Sequence, residues 1–403
     1  MVPVRFSDAP AEATWRREVR EFVERECPDD LRERGLVLMD RELGNPGHQT
    51  PEQAAHMTEW RGKLLDRGWI APAWPKEYGG AGMTPMQQFI FNMEFAEARV
   101  PQVGVPLVGP TLILHGSAEQ KARFLPELLK GQQRWCQGFS EPGAGSDLAS
   151  LQTRAERDGD DFVINGQKIW TTGAHVADWI FMLARTDPDA PKHRGISYLL
   201  VDMKSPGIDV QPLASVAPHG FNQVFFNDVR VPAENVVGEV NRGWYVATTT
   251  LDFERSGVGS AVGTRQSVEG LVQWAKENVA SGQSMLGRNP EVRTELADRL
   301  VEAYVAQMLA FRIADLQNRG IVPNYEASVG KLYASELNQR IGRTALKLAG
   351  MYGNVYQAGS PYAPVGGRFV NNYLSNIYQT IAAGTSEIQR NIIAQRGLGL
   401  PRI

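Results

Sequence analysis

Apolar residues along this chain change their spacing twice, and the changes divide it into three blocks. Up to about residue 130 the spacing is helical. Trp15, Val19, Phe22 and Val23 recur on one face. Similar patterns cover 51–66, 85–99 and 118–130, with Gly- and Pro-rich breaks such as the loop at 74–82 between them. From about Trp135 the character becomes that of strands. Phe162 and Ile164 alternate with polar neighbours, Asn165-Gly166 has the chemistry of a two-residue hairpin turn, and Lys168-Ile169-Trp170 resumes the strand. Segments 178–185, 195–203 and 223–229 read as further strands. Beyond Gly243 helical spacing returns. Residues 244–279 hold few breakers, and 292–318 places Leu296, Leu300, Tyr304, Met308 and Phe311 on one stripe, which predicts a long, continuously buried helix. Segments 325–349 and 386–396 complete the set. The expected architecture is α+β: an N-terminal helical domain (1–134), a middle antiparallel β-sheet domain (135–241) and a C-terminal four-helix bundle (242–403).

Composition narrows the class of protein. A hydrophobic content of 42% with 22% charged residues over 403 positions suits a soluble globular chain of several packed layers. The net charge of −3, with both signs mixed throughout, offers no footprint for nucleic acid. Cys27 and Cys136 form no CxxC pair and the 6 histidines show no HExxH, so no metal site is expected. The apolar run 179–184 falls far short of the roughly 20 residues that cross a membrane. The first residues lack the apolar stretch of a signal peptide, which makes the cytoplasm the expected compartment.

Two clusters carry the chemistry. One is Phe139-Ser140-Glu141-Pro142-Gly143-Ala144-Gly145-Ser146-Asp147; the other is Trp170-Thr171-Thr172-Gly173. Glycines at 143 and 145 remove side chains where a backbone can approach a ligand, with Ser140 and Ser146 beside them. Alone, such a Gly/Pro/Ser/Asp cluster is more often a plain turn. At this spacing from Trp-Thr-Thr it resembles the flavin-binding signature of the acyl-CoA dehydrogenase family, and the resemblance spans nearly the whole chain. It implies FAD as cofactor and an acyl-CoA as substrate. It also implies α,β-dehydrogenation to a trans-2-enoyl thioester, with hydride passing to flavin N5 and an electron-transferring flavoprotein as acceptor. By position, the resemblance gives Gln137, Phe139, Ser140, Gly145, Ser146, Trp170, Thr171, Thr172, Thr385 and Glu387 to the cofactor. Ser146, Asp252, Arg255 and Gly384 fall to the substrate.

The family's usual base precedes a C-terminal Gly-Thr-Ser. Here that position is Ala383, in Ala383-Gly384-Thr385-Ser386-Glu387, and alanine takes no proton. Its backbone N–H can still polarise a thioester carbonyl. A second carboxylate lies at Glu254, three residues after Leu251, seven after Ala247 and four before Val258, on a mostly apolar helix face. Leu251-Asp252-Phe253-Glu254-Arg255 is similar to the segment of isovaleryl-CoA and long-chain acyl-CoA dehydrogenases that carries their base. The resemblance therefore implies Glu254 as the base that removes the α-proton, where isolation from water would suit a carboxylate to that task. Read without the family, Glu254 and Arg255 are a solvated pair on a helix surface.

Two departures concern the half of the FAD site that a neighbouring subunit usually completes. The family's Arg-x-x-Phe-Gly turn is replaced by a segment with Arg288 near its end, and its Gln-x-x-Gly-Gly-x-Gly loop reads Lys347-Leu348-Ala349-Gly350-Met351-Tyr352-Gly353. Either a homodimer or homotetramer with Lys347 or Arg288 as compensation, or a heterotetramer with a related chain, follows. A non-catalytic partner subunit and an oxygen-using relative are the competing functional readings.

Overall fold

The structure is a computed structural model describing residues 8–32, 50–101, 103–216, 220–254, 259–280, 282–357 and 359–401, the side chains of 252–254 and 259–260 excepted. The principal helices are α1 (Pro10–Glu26), α2 (Pro51–Asp66), α3 (Pro85–Glu97), α4 (Val108–His115), α5 (Ala118–Lys130), α6 (Gly243–Glu254), α7 (Gly259–Glu277), α8 (Pro290–Asn318), α9 (Tyr325–Ala349), α10 (Arg368–Gln379) and α11 (Ser386–Ile392). By its contacts the chain divides into two compact units: Met1–Trp60, Met83–Gln102 and Ser256–Ile403 form one, and Arg61–Gly82 with Val103–Arg255 the other.

The second unit holds a sheet made of β1 (Trp135–Gly138), β2 (Arg154–Asp158), β3 (Asp161–Lys168), β4 (Trp179–Arg185), β5 (Ile196–Asp202), β6 (Ile208–Pro212), β7 (Asn222–Pro232) and β8 (Val236–Val237). The strand order is β6-β7-β3-β2-β4-β5-β8, with β1 alongside β4. Most pairings are antiparallel, as alternation along the chain implied. The sheet is nonetheless mixed, because β1 runs parallel to β4 and β2 meets β4 in parallel at Arg154 and Arg185. Every position of β4 is buried, which explains its unbroken apolar run. Its Ile180 and Met182 join Ile164, Leu199, Val201 and Val224 in one core.

Asn165-Gly166 is not a turn. The strand β3 runs straight through it, and the register against β7 slips there. Gly166 has φ 147°, and a Cβ on it would lie 2.7 Å from the Cα of Thr153, so the bulge requires glycine. Asn165 binds Asp228 across the sheet through both its amide groups. The hairpin turn sits instead at Gly159-Asp160, between the paired Asp158 and Asp161.

In the first unit α1 and α3 pack together, with Trp15 Nε1 donating to the carbonyl of Gln87, and Phe89 meets Phe311 of α8 edge-on at 5.4 Å. A second core gathers Val268 and Leu271 of α7, Leu296 of α8, Leu337 and Ile341 of α9 and Phe369 of α10. The expected continuous burial of α8 fails at two positions, since Tyr304 and Met308 are exposed. The helix buries Ala303 and Ala306 instead, whose small side chains let its neighbours pack close. Tyr304 and Met308 are left facing outward with Val301 and Val305.

Candidate active site

β1 delivers the chain into the Gly-rich loop. Gln137 is half-buried, and the buried Phe139 ring stands edge-on to Phe181 and Tyr198. Glu141 and Ala144 exchange both backbone hydrogen bonds, closing a tight turn over Pro142-Gly143. The carboxylate of Glu141 points inward. It accepts from Lys168 Nζ at 2.7 Å, from the amide of Gln152 at 2.6 Å and from that of Thr153 at 2.9 Å. Lys168 is fully buried and also donates to the carbonyl of Phe139. Desolvation works to raise the carboxyl pKa of Glu141, but the Lys168 charge and these donors hold it below the ordinary value. Burial pushes the Lys168 ammonium down to about 8, with Glu141 opposing the fall. Both groups are therefore ionised at neutral pH. Above this anchored base, Gly143, Gly145 and Ser146 are exposed, and a Cβ on either glycine would meet nothing within 4 Å.

The second cluster turns sharply after β3. Trp170 adopts φ 61° and is 54% exposed, with Phe221 edge-on to its ring at 5.6 Å. Thr171 is buried and trades both backbone hydrogen bonds with Asn222, whose side-chain amide also donates to the carbonyls of Thr171 and Gly220. The Thr171 hydroxyl oxygen is buried without a hydrogen-bond partner among the described residues. Thr172 is exposed. An exposed tryptophan in a left-handed conformation beside an orphaned hydroxyl is costly packing unless a ligand completes it.

Helix α6 ends at Glu254, with Asp252 in the same last turn, while Arg255 lies outside the described residues. Buried hydroxyls latch this helix. Thr250 Oγ1 lies 2.7 Å from Thr111 Oγ1 of α4 and 3.4 Å from the Tyr198 hydroxyl of β5, and Thr249 bonds the His115 imidazole at 2.8 Å. Burial pushes the Tyr198 phenol up and the His115 imidazole down, so both stay neutral at neutral pH. Tyr198 thus touches both the Phe139 ring and the Thr250 hydroxyl, joining the loop to the helix. Thr250→Val keeps the shape but strips the shared hydroxyl from two buried partners. The expected loss is about 1–3 kcal/mol of unfolding free energy, read from a urea midpoint at unchanged slope.

Ala383, Gly384, Thr385 and Glu387 belong to the other compact unit. Ala383 has φ 53° and Gly384 φ 87°. Thr385 caps α11, its hydroxyl accepting from the amide of Ile388. Glu387 is exposed, its pKa held low by the amide at the helix start and the Thr385 hydroxyl. Lys347 pairs with Glu295 at 2.6 Å, Arg288 donates to Asn278, and Met351 is 88% exposed. The sequence pattern left four structural residues unread: Glu141, Lys168, Asn222 and Thr250. The available signal was Lys168, a cation on the inward side of the β3 alternation.

Helices, a mixed sheet headed by this cradle and a helical bundle define an acyl-CoA dehydrogenase fold. The chain belongs to the acyl-CoA dehydrogenase family: the models of its N-terminal, middle and C-terminal domains match residues 9–132, 136–229 and 241–398. Acyl-CoA dehydrogenase IpdE1 of Mycobacterium tuberculosis is 38% identical over 89% of this chain and 92% of its own. Acyl-CoA dehydrogenase FadE26 of the same organism is 36% identical over 99% of both chains. Among solved structures, the Tcur3481-Tcur3483 steroid ACAD superposes with a TM-score of 0.83 at 33% identity, covering 99% of this chain and 100% of that one. A chain of the ChsE4-ChsE5 complex from Mycobacterium tuberculosis gives 0.80 at 34%, with the same coverage. Among the described residues no helix is long and apolar enough to cross a membrane, and no cluster of His, Cys, Asp and Glu could hold a metal.

Proposed function

We propose that this chain is an FAD-dependent acyl-CoA dehydrogenase in which Glu254 removes the α-proton of the thioester and the Ala383 N–H stabilises the enolate-like oxygen. One observation carries the proposal: the cradle of open glycines, exposed Trp170 and orphaned Thr171 hydroxyl is tied through Phe139, Tyr198 and Thr250 to the helix that ends in Glu254. The residues fit a flavin. Gly145, Ser140 and Ser146 would face its phosphates, Trp170, Thr171 and Thr172 its ring, and Gln137, Phe139, Thr385 and Glu387 would complete its binding. The flavin supplies a hydride acceptor. The protein supplies the rest: Ser146, Asp252, Arg255 and Gly384 orient the acyl-CoA, Glu254 holds the departing proton, and Ala383 meets the developing charge. Electrons then pass to an electron-transferring flavoprotein in the cytoplasm. The domain boundaries we propose are 1–134, 135–241 and 242–403.

A second reading concerns assembly, with this chain as one subunit type of a heterotetramer. Lys347 is engaged by a carboxylate and Met351 stands where the family has glycine, which favours a related partner completing the pyrophosphate half of the site. The exposed apolar face of α8 supports association with another subunit. The two neighbours above are themselves named as pairs of chains. The mass of the purified protein and its FAD per subunit decide: full loading of a homo-oligomer removes the mixed assembly.

Anaerobic addition of straight, branched and steroid-side-chain acyl-CoAs tests the activity itself. At least one is expected to bleach the flavin and yield the enoyl thioester; bleaching by none, with flavin bound, overturns the proposal.

A further inference from the structure

We infer that Lys331 and Gln389 are positioning residues for the proposed reaction, clamping the Ala383-Gly384 turn so that the Ala383 N–H stays directed at the thioester oxygen. The inference rests on the function proposed above and adds two residues to it.

Both carbonyls of the turn accept hydrogen bonds from side chains. Gln389 Nε2 donates to the Ala383 oxygen at 3.1 Å and to the Gly384 oxygen at 3.2 Å. Lys331 Nζ, reaching over from α9, donates to the same Gly384 oxygen at 2.7 Å. Gly384 has φ 87°, which favours glycine, and a Cβ on it would lie 2.6 Å from Gln389 Nε2 and push that amide off the turn. These contacts fix the two peptide planes that follow the Ala383 Cα and so hold that residue at its left-handed φ, and among the described residues no acceptor is found for the Ala383 N–H.

The arrangement is poor as mere packing. Ala383 holds a left-handed φ of 53° with no glycine to ease it. Gln389 is fully buried, yet its Oε1 has no partner, so its amide is spent on the turn while its own acceptor stays unmet. Strain and an unmet acceptor gather at the position where a backbone donor must do without a side chain. A strained donor held rigidly is what charge stabilisation in a transition state requires. The Lys331 ammonium adds a positive charge at the Gly384 carbonyl, which favours negative charge building up on an oxygen bound by this turn.

The test uses the flavin-loaded protein and any acyl-CoA that bleaches it. In Lys331→Met and in Gln389→Met the bleaching rate at saturating thioester is expected to fall about 10- to 100-fold, with the half-saturating concentration nearly unchanged. The infrared carbonyl stretch of the bound enoyl thioester, 13C-labelled at C1, should lie below its value in water for the parent and move back toward that value in both variants. Lys331→Arg should restore most of the rate and the shift. An unchanged stretch and saturating rate in Lys331→Met, at a half-buried position, overturn the inference even if Gln389→Met fails to fold. Failure of the Glu254 assignment shows separately, as normal bleaching in Glu254→Gln, with the stretch still able to report on the clamp.

Discussion

Glu254→Gln is expected to slow flavin bleaching by an acyl-CoA about 10²- to 10⁴-fold, the range a positioned general base contributes. Glutamine keeps the size and hydrogen-bonding reach of the side chain but accepts no proton. Folding, flavin content and thioester affinity should therefore stay close to those of the parent. The position needed to deliver the base is built by other residues, because α6 is held by the Thr111–Thr250 and His115–Thr249 contacts, earlier in the helix than Glu254. The rise of bleaching rate with pH that a carboxylate base imposes should vanish in the variant. Stopped-flow absorbance under argon reads all of this. Bleaching within a few-fold of the parent would sink the assignment, and attention would turn to Glu387, the carboxylate four residues after Ala383. That residue is exposed and spent on the start of α11, which makes it a poor store for an α-proton.

The block order and most helix limits were legible because each block keeps one hydrophobic period. Helices α2, α5 and α9 begin and end where the pattern says. Helix α10 was not among the expected elements, although Phe369, Val370, Tyr373, Leu374, Ile377 and Tyr378 recur at helical spacing in it. Asn165-Gly166 misled for a physical reason. The pair suits a left-handed turn, yet the same permissive glycine also serves a bulge, and only the pairing of β3 with β7 separates the two.

The candidate site divides along the same line. Residues proposed for the ligand on a fixed local motif, from Phe139 to Ser146 and from Trp170 to Thr172, were legible through the family resemblance that their spacing carries. Residues that hold the motif could not. Thr111 and Thr250 meet across 139 positions, and threonines inside a helix look merely unfavourable until their partners are known. The backbone of Ala383 is a subtler case. Its missing carboxylate was visible, but its left-handed φ and the two side chains gripping its turn have no signature in a single sequence.

Glu141→Gln should be among the most destabilising single changes in the sheet unit, at about 3–5 kcal/mol, because it leaves a buried ammonium without its counter-charge. Lys168→Met should cost less, since the stranded carboxylate still accepts from the amides of Gln152 and Thr153. The sign of the pH dependence separates this from ordinary core damage. In the parent the folded state already binds the Lys168 proton less tightly than the free side chain does, near 8 against 10.5. Without Glu141 the folded value falls further. Over the widened window below 10.5 the unfolded chain then holds the proton that the folded chain has lost, so stability must rise with pH. The deficit of Glu141→Gln against the parent should therefore shrink between pH 6 and pH 9, as read from urea midpoints. The acid limb behaves oppositely. The depressed carboxyl of Glu141 stabilises the parent above the ordinary glutamate pKa of 4.5 and loses that contribution as pH falls through its lower folded value, so this limb should flatten in the variant. Flavin content should fall along with stability, because Lys168 and Glu141 together tie the backbone of Phe139 and Glu141 beneath the open glycines. A Glu141→Gln protein with parental midpoint, pH response and flavin loading would mean that the loop is held by its backbone turn alone.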